Sequence, residues 1–434
     1  MKLLLIGQCT LHWGRMEYGN IGNYYVIEPL IRELKKAFPN SEISTTFQMS
    51  DSFSKREGIE ILPIDLYYGW NKDDLSNALE ELGIAQIYEQ TGKLIKMTPY
   101  IKAVLESELI IDFSGDIWGD NANFLGENRF LIGLIKDRIA QLLKKKTAMI
   151  AGSPGPFSDN SVLEYAKEVY RNFDLVTNRE SVSFQLMKEL RFDLANTKNF
   201  ACPSFLFQPL SDIEGQELAE ELKIMPKIKP SVGFILCGWN FVEGPFDKCV
   251  RSDDDYIVFA EAIEYMTEVL NLKVFLLSHS NGFPIPPEPF DLHHGRDYLI
   301  AKQLEEVLIK RGISHDFNLI ERVNNPWETK AIIKNFDMLV SGRLHGAVAG
   351  LSQTIPTVLI DYGHSPKAHK IYGFAKEMNV QHLIADPEKE NDIIKKIAEC
   401  WMNKDTYIKN LKSAILEVEE KARNNFKELK KLLD

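Results

Sequence analysis

The chain has no excess of positive charge, no cysteine framework, no long apolar run and no glycine- or serine-rich low-complexity stretch. Each absence removes a class of function. Across 434 residues, 51 Lys and Arg stand against 62 Asp and Glu, for a formal net charge of −11 at pH 7. A general nucleic-acid binder needs a broad basic surface, so nucleic acid is not an expected partner. An anionic substrate would instead have to be held by a local cluster of cations. The five cysteines, Cys9, Cys202, Cys237, Cys249 and Cys400, form no C-x-x-C and have no Cys/His spacing suited to zinc. An odd count without a framework fits a reducing compartment. No uninterrupted apolar run reaches the roughly 18 residues of a membrane span. The opening MKLLLIGQCT has an apolar core of only Leu3 to Ile6, shorter than the roughly 7–15 residues of a signal-peptide core. It reads as a first buried strand. The expected location is therefore cytoplasmic, extending at most to the inner face of the membrane.

What is present is an alternation of short apolar runs with amphipathic segments, the pattern of βαβ units and mostly parallel sheets. A chain of this length exceeds the roughly 250–300 residues at which one core stops growing, which predicts two domains. Strands are expected at 2–6, 108–113, 148–151 and 174–177, and in a second series at 232–237, 273–277, 337–340 and 357–361. Helices are expected at 27–38, 128–143, 162–171 and 181–190, then at 255–270, 298–310, 326–335 and 345–351. Pro29 either starts or kinks the first helix. The stretch 208–230, rich in Glu and Lys, reads as the connection between an N-terminal domain of residues 1–210 and a C-terminal domain of residues 228–385. Apolar residues at three- and four-residue steps make 386–434 a helical segment packed on the domains, broken near Asn403.

In open parallel sheets ligands bind beyond the carboxyl ends of the strands. One such end carries Ser341-Gly342-Arg343-Leu344-His345-Gly346 before a helix of small residues. Cations are disfavoured at a helix start, so the arginine and imidazole there need a reason. A bound phosphate or carboxylate supplies one, by drawing on the helix N–H groups and a forked guanidinium together. Pairing of Arg343 with an acidic side chain, with His345 an ordinary polar residue, is the bland reading. Between Ser341 and Lys370 three cations, Arg343, Lys367 and Lys370, meet one acid, Asp361, together with three histidines. Arg179 repeats the strand–arginine–helix arrangement, with an ion pair to Glu180 or its surroundings as the plain alternative. The stretch DFSGDIWGD places Asp116 and Asp120 where a carboxylate could accept a hydroxyl proton. His293-His294 is a poor metal site, since adjacent side chains rarely share an ion, and no metal is expected. The turn GNIGN, Gly19 to Asn23, matches neither the dinucleotide fingerprint nor the P-loop. G-x-S-x-G and H-E-x-x-H are absent.

Taken in order, GNIGN, IIDFSGDIWGD, AGSPGPF, DLVTNRESVSFQLMKEL and SGRLHGAVAGLSQTIPTVLIDYG with its downstream Lys367 resemble the polysaccharide pyruvyl transferase family. The RLH element is the most specific of these. The resemblance implies an α/β fold of two Rossmann-like domains facing a cleft, glycosyltransferase-B-like. It implies phosphoenolpyruvate as co-substrate and a glycan or lipid-linked oligosaccharide as acceptor, giving a pyruvyl ketal in an exopolysaccharide or cell-surface polymer without a redox cofactor. Arg343 and Leu344 then bind the donor, and His345 is the acid that protonates C3. Arg179 and Lys367 add cationic contacts. Asp116 takes the acceptor proton, with Asp120 and Asn20 as further substrate-binding residues. The chain departs from the family pattern at Asn23, where an acidic residue is expected, and at Phe113-Ser114-Gly115, where a fuller glycine run is expected. Two other readings share the scaffold. A nucleotide-sugar glycosyltransferase is one, although the Glu-x7-Glu element of many retaining members is replaced by Asp361 and His369. A catalytically silent glycan-binding homologue is the other.

Overall fold

Runs such as Leu3-Leu4-Leu5-Ile6 and Leu109-Ile110-Ile111 lack the polar alternation of a half-wet strand, and they form strands buried on both faces. The computed structural model describes residues 1–8, 16–243, 251–284, 288–313 and 316–434, the side chains of Met16 and Glu17 excepted. It divides into two compact units. The first comprises Met1–Met16, Leu30–Pro203 and Lys421–Asp434, the second Glu17–Pro29 and Ser204–Glu420.

The first unit is built on β1 (Lys2–Ile6), β2 (Glu42–Thr45), β3 (Ile59–Ile61), β4 (Leu109–Asp112), β5 (Lys146–Gly152), β6 (Leu175–Asn178) and β7 (Thr197–Asn199). They lie in the order β3-β2-β1-β4-β5-β6-β7, every pair parallel. The second unit holds β8 (Ser231–Ile235), β9 (Lys273–Leu276), the short antiparallel pair β10 (Asn281–Gly282) and β11 (His293–His294), then β12 (Phe317–Leu319), β13 (Met338–Ser341), β14 (Thr357–Ile360) and β15 (Ile384–Ala385). Its main sheet is again wholly parallel, in the order β12-β9-β8-β13-β14-β15. The eight strands expected from the sequence are all present. Of those it did not mark, β2, β3, β7, β12 and β15 are short and lie towards the edges of the two large sheets, and β10 and β11 form the separate two-stranded pair. β7 (Thr-Lys-Asn) has no apolar side chain at all.

Both orders reverse direction once, between β1 and β4 in the first sheet and between β8 and β13 in the second. At such a switch point the flanking connections diverge to opposite faces and leave a crevice at the carboxyl ends.

The helices Asp51–Glu57, Asp74–Thr91, Pro99–Leu105 and His369–Glu377 were not marked in the sequence, and two further segments differ from its reading. Helix α1 (Ile21–Ala37) starts well before residue 27 because Asn20 Oδ1 accepts from Gly22 N at 3.0 Å, capping the turn. The division between units falls inside this helix, after Pro29. The segment 208–230 contains a helix of the second unit, α2 (Asp212–Glu221), started by a full Ser211/Glu214 capping box. The C-terminal segment is broken at Asn403, where the sequence places the break, and the last turns of the following helix α3 (Lys404–Lys430) belong to the first unit. There Asn425 accepts from Thr177 Oγ1 at 2.6 Å and donates to Ala201 O at 2.9 Å, both groups being buried.

Beneath the first switch point two carboxyls, Asp112 and Asp137, are buried. Burial pushes Asp112 up to about 7 despite its hydrogen bonds from Ser114, and raises Asp137 strongly as well, aided by the charge of Asp112. A raised carboxyl stays protonated in the folded chain while the unfolded chain ionises. Asp112 therefore removes stability as pH rises from about 4 to about 7. Asp112→Asn is expected to gain on the wild type over that window, by on the order of 2–4 kcal/mol, read as urea-unfolding free energies at pH 4 and 7.5. A constant difference between the two pH values would contradict the protonated state.

Candidate active site

The second unit's switch point is assembled by one buried amide. Asn240, in the loop after β8, donates through Nδ2 to Gly342 O (3.3 Å), Ile360 O (3.4 Å) and Asp361 O (3.3 Å), and its Oδ1 accepts from Cys237 N at 2.8 Å. The loops after β8, β13 and β14 are thus tied to one side chain. A Cβ on Gly342 would lie 1.9 Å from Asn240 Oδ1, so only glycine lets β13 turn out here. Above this staple Trp239, Tyr362 and His364 stack nearly parallel, with centroids 5.0–5.5 Å apart.

Arg343 leaves β13 and caps helix α4 (Leu344–Leu351) without a side-chain bond to its first turn. Its partner is Asp297, in the first turn of a helix spanning Arg296–Lys310. Nε reaches Oδ2 at 2.8 Å and Nη2 reaches Oδ1 at 2.5 Å, a forked pair in which the acid is 1% and the arginine 18% exposed. Burial alone would lower the arginine's pKa, but the carboxylate overrides this and raises it. Asp297 is itself favoured at a helix start. The ion pair of the bland reading therefore exists. It uses Nε and Nη2, and Nη1 lies outside the fork.

Leu344 and His345 open the helix, half-buried. The imidazole of His345 stands edge-on to Phe374 at 6.1 Å. Gly22 of the GNIGN turn packs directly on it: a Cβ there would meet His345 Cβ and Nδ1 at 2.7 Å. Asn20, expected to touch substrate, forms an isolated antiparallel bridge with Ser280 besides capping its own helix. The early turn is thereby fastened to the loop after β9. That loop carries His279, wholly buried, with no partner for either ring nitrogen among the described residues. Leaving buried polar groups unmet costs about 1–3 kcal/mol each. Burial, then Arg343 and His345, hold its pKa well below the usual histidine value.

His279, Asp297 and Asn240 were missed by sequence reasoning. The first and last follow strands directly, so a complete search of strand ends finds them. Asp297 had no signal, being paired across 46 positions. Lys367 is committed elsewhere, to Asp386 (3.0 Å), Glu388 (2.9 Å) and the Tyr362 carbonyl. His293 and His294 form the short strand β11, His294 stacking on Tyr298 at 3.5 Å.

In the first unit Arg179 follows β6 and is 2% exposed. Its Nε donates to Ser153 Oγ (2.8 Å) and its Nη2 to Asp116 Oδ1 (3.1 Å). Burial lowers and Asp116 raises its pKa, and the increase prevails. Glu180 instead caps its own helix, accepting from Val182 N and Ser183 N. Asp116 leaves β4 at the first switch point and pairs there with Arg179. Asp120 Oδ2 accepts from Ser158 N, and its own amide donates to Pro156 O, so it braces the Ser153–Pro156 turn.

Comparison with known proteins starts from the architecture. A glycosyltransferase from Rickettsia africae superimposes with a TM-score of 0.60 at 11% identity, covering 99% of this chain and 97% of that one. Anabaena HepE, solved with UDP and glucose, gives 0.57 at 12%, covering 100% and 99%. The UDP-GlcNAc 2-epimerase of Neisseria meningitidis gives 0.57 at 11%, covering all of both chains. The fold is therefore the two-sheet α/β arrangement of B-type glycosyltransferases and such epimerases. Within that fold, residues 20–365 match the model of the polysaccharide pyruvyl transferase family, and the chain belongs to it. The amylovoran biosynthesis protein AmsJ of Erwinia amylovora is 23% identical over 415 residues, covering 92% of this chain and 91% of AmsJ. The chain is thus a transferase of polysaccharide biosynthesis. No helix among the described residues is long and apolar enough to cross a membrane.

Two outcomes follow from this geometry. Asp297→Ala leaves Arg343 without its counter-charge and is expected to cost about 3–5 kcal/mol in urea unfolding. An unchanged midpoint would deny the pair its structural weight. Gly22→Ala must displace His345, because the atoms it meets include the rigid Cβ. Turnover should fall at least tenfold with a stability loss of about 1–3 kcal/mol, and wild-type turnover would show that the imidazole's position does not matter.

Proposed function

We propose that this chain transfers a pyruvyl group from phosphoenolpyruvate to two hydroxyls of a glycan sugar, forming a ketal and releasing phosphate. The observation that carries the reading is Arg343 at the second switch point, oriented by Asp297 and capping the helix that His345 enters. A donor with a phosphate and a carboxylate suits this place. Helix-start N–H groups and the guanidinium edge outside the fork both favour oxyanions, and the Asp297 carboxylate keeps the ligand-free site from holding an uncompensated charge.

The chemistry balances without an electron carrier. His345 delivers a proton to C3 as an acceptor hydroxyl oxygen bonds to C2 and gives up its own proton. The C2–O bond to phosphate then breaks, and phosphate departs as the hydrogen phosphate ion. A second hydroxyl of the same sugar closes the ring at C2 and loses its proton. In the first unit Asp116, paired with Arg179, is the candidate for receiving a sugar-hydroxyl proton.

The test is phosphate release from phosphoenolpyruvate over a panel of glycans and lipid-linked oligosaccharides. Hydrogen bonds to charged groups contribute about 1.5–3 kcal/mol, so Arg343→Ala should weaken donor binding roughly 10- to 150-fold and abolish donor-induced thermal stabilisation. His345→Ala should keep most of that stabilisation and lose turnover. Normal turnover by His345→Ala would remove the assigned acid. A nucleotide-sugar reading is favoured by the fold shared with HepE and by the Trp239–Tyr362 stack, a surface suited to a nucleobase. Release of UDP from UDP-sugars in the same panel, with none of phosphate, would install it. Donor binding without release across the panel would mark a silent glycan-binding homologue.

A further inference from the structure

The guanidinium and the helix start leave the buried imidazole of His279 unexplained. His279 lies in the loop Ser278–Asn281, and that loop is braced on several sides. Ser278 Oγ donates to Ser280 O at 2.7 Å, Ser280 bridges Asn20, Asp297 N donates to Ser280 Oγ at 3.1 Å, and Asn281 Nδ2 donates to Asn324 O at 2.9 Å. With its backbone so fixed, the imidazole cannot easily swing out to water. Yet a neutral imidazole carries one donor and one acceptor, and neither ring nitrogen meets a protein group among the described residues. Its aromatic neighbour, Tyr25, stands edge-on at 5.4 Å with its own hydroxyl buried and unpartnered among the described residues. Buried polar groups in folded proteins nearly always find a partner. The residue after His279, Ser280, holds the amide of Asp297, the carboxylate of which grips Arg343, so the loop of His279 is fastened to the proposed donor site.

We infer that His279 is a third anion-binding group of this site, donating a hydrogen bond from its neutral ring to a phosphate or carboxylate oxygen held at Arg343 and the start of α4. The inference rests on the proposed donor reading and extends it to a residue outside the RLH element. A neutral donor suits the position better than a third cation. It adds no repulsion beside Arg343 and the helix dipole, and it can release the ligand without stranding a charge. The same bond suits an oxyanion, since the ring donates from one nitrogen while the other can accept a hydrogen bond from Tyr25 or from a ligand hydroxyl.

The full chain, labelled with ring-15N histidine at pH 7.5, tests this by titration with phosphoenolpyruvate and with inorganic phosphate. His279→Gln assigns the signal. A saturable shift of the His279 ring nitrogens is expected, with the dissociation constant found by calorimetry. His279→Phe, which keeps an aromatic ring and removes both nitrogens, should weaken phosphoenolpyruvate about tenfold, and His279→Gln, which restores a donor, should recover several-fold of that loss. Ring nitrogens unmoved at saturation, or wild-type affinity in His279→Phe, would overturn the assignment while leaving the donor reading intact. A wild-type chain that binds neither anion would overturn both together. Should one of the two variants fail to fold, the other still assigns the His279 signal for the titration of the unmutated chain.

Discussion

A guanidinium placed at the positive end of a helix is stable only beside a counter-charge, and in this protein that charge is a single buried carboxylate. Asp297 grips Arg343 by two parallel bonds from the first turn of another helix, where the dipole favours an acid. The pair converts an unfavourable local arrangement into a neutral, rigid one. Much of the second unit's carboxyl edge is then organised about it. Asn240 ties three strand ends together, Ser280 ties the loop after β9 to Asp297, and the GNIGN turn is fastened to that loop through Asn20. Rigidity of this kind is what a binding site requires, because a guanidinium already ordered loses little entropy when a ligand arrives.

The first unit solves the same problem in a similar way. Arg179 also follows a strand and precedes a helix, is also buried, and is also bonded to a carboxylate, Asp116, that leaves its sheet at the switch point. In each unit the strand order directs one loop towards an arginine and another towards its acid. The difference lies in exposure: Asp297 is sealed in, whereas Asp116 is 29% exposed and accessible to solvent-borne groups.

Much of this was legible in the chain. Aliphatic runs marked eight central strands because strands buried on both faces need uninterrupted apolar side chains, and the order of motifs pointed to the family to which residues 20–365 belong. The edge strands were not legible, since Thr197-Lys198-Asn199 has no apolar signature and is held by backbone pairing alone. Nor was the helix of 212–221, although its Ser211-x-x-Glu214 box was in plain view and was outweighed by the surrounding charge. The partners of Lys367 were not legible either, since Asp386 and Glu388 lie about twenty positions away in the chain.

By itself the sequence determined the α/β class, the parallel sheets and the arginine and histidine at the helix start, because strand burial and motif order are local properties of the chain. Only the tertiary structure decided which carboxylate answers each arginine, that Gly22 must lack a side chain beside His345, and that His279 is buried in a loop tied to Asp297. Those relations join residues tens to hundreds of positions apart. They arise from how the strand ends converge at a switch point, and no pattern along the chain records that convergence.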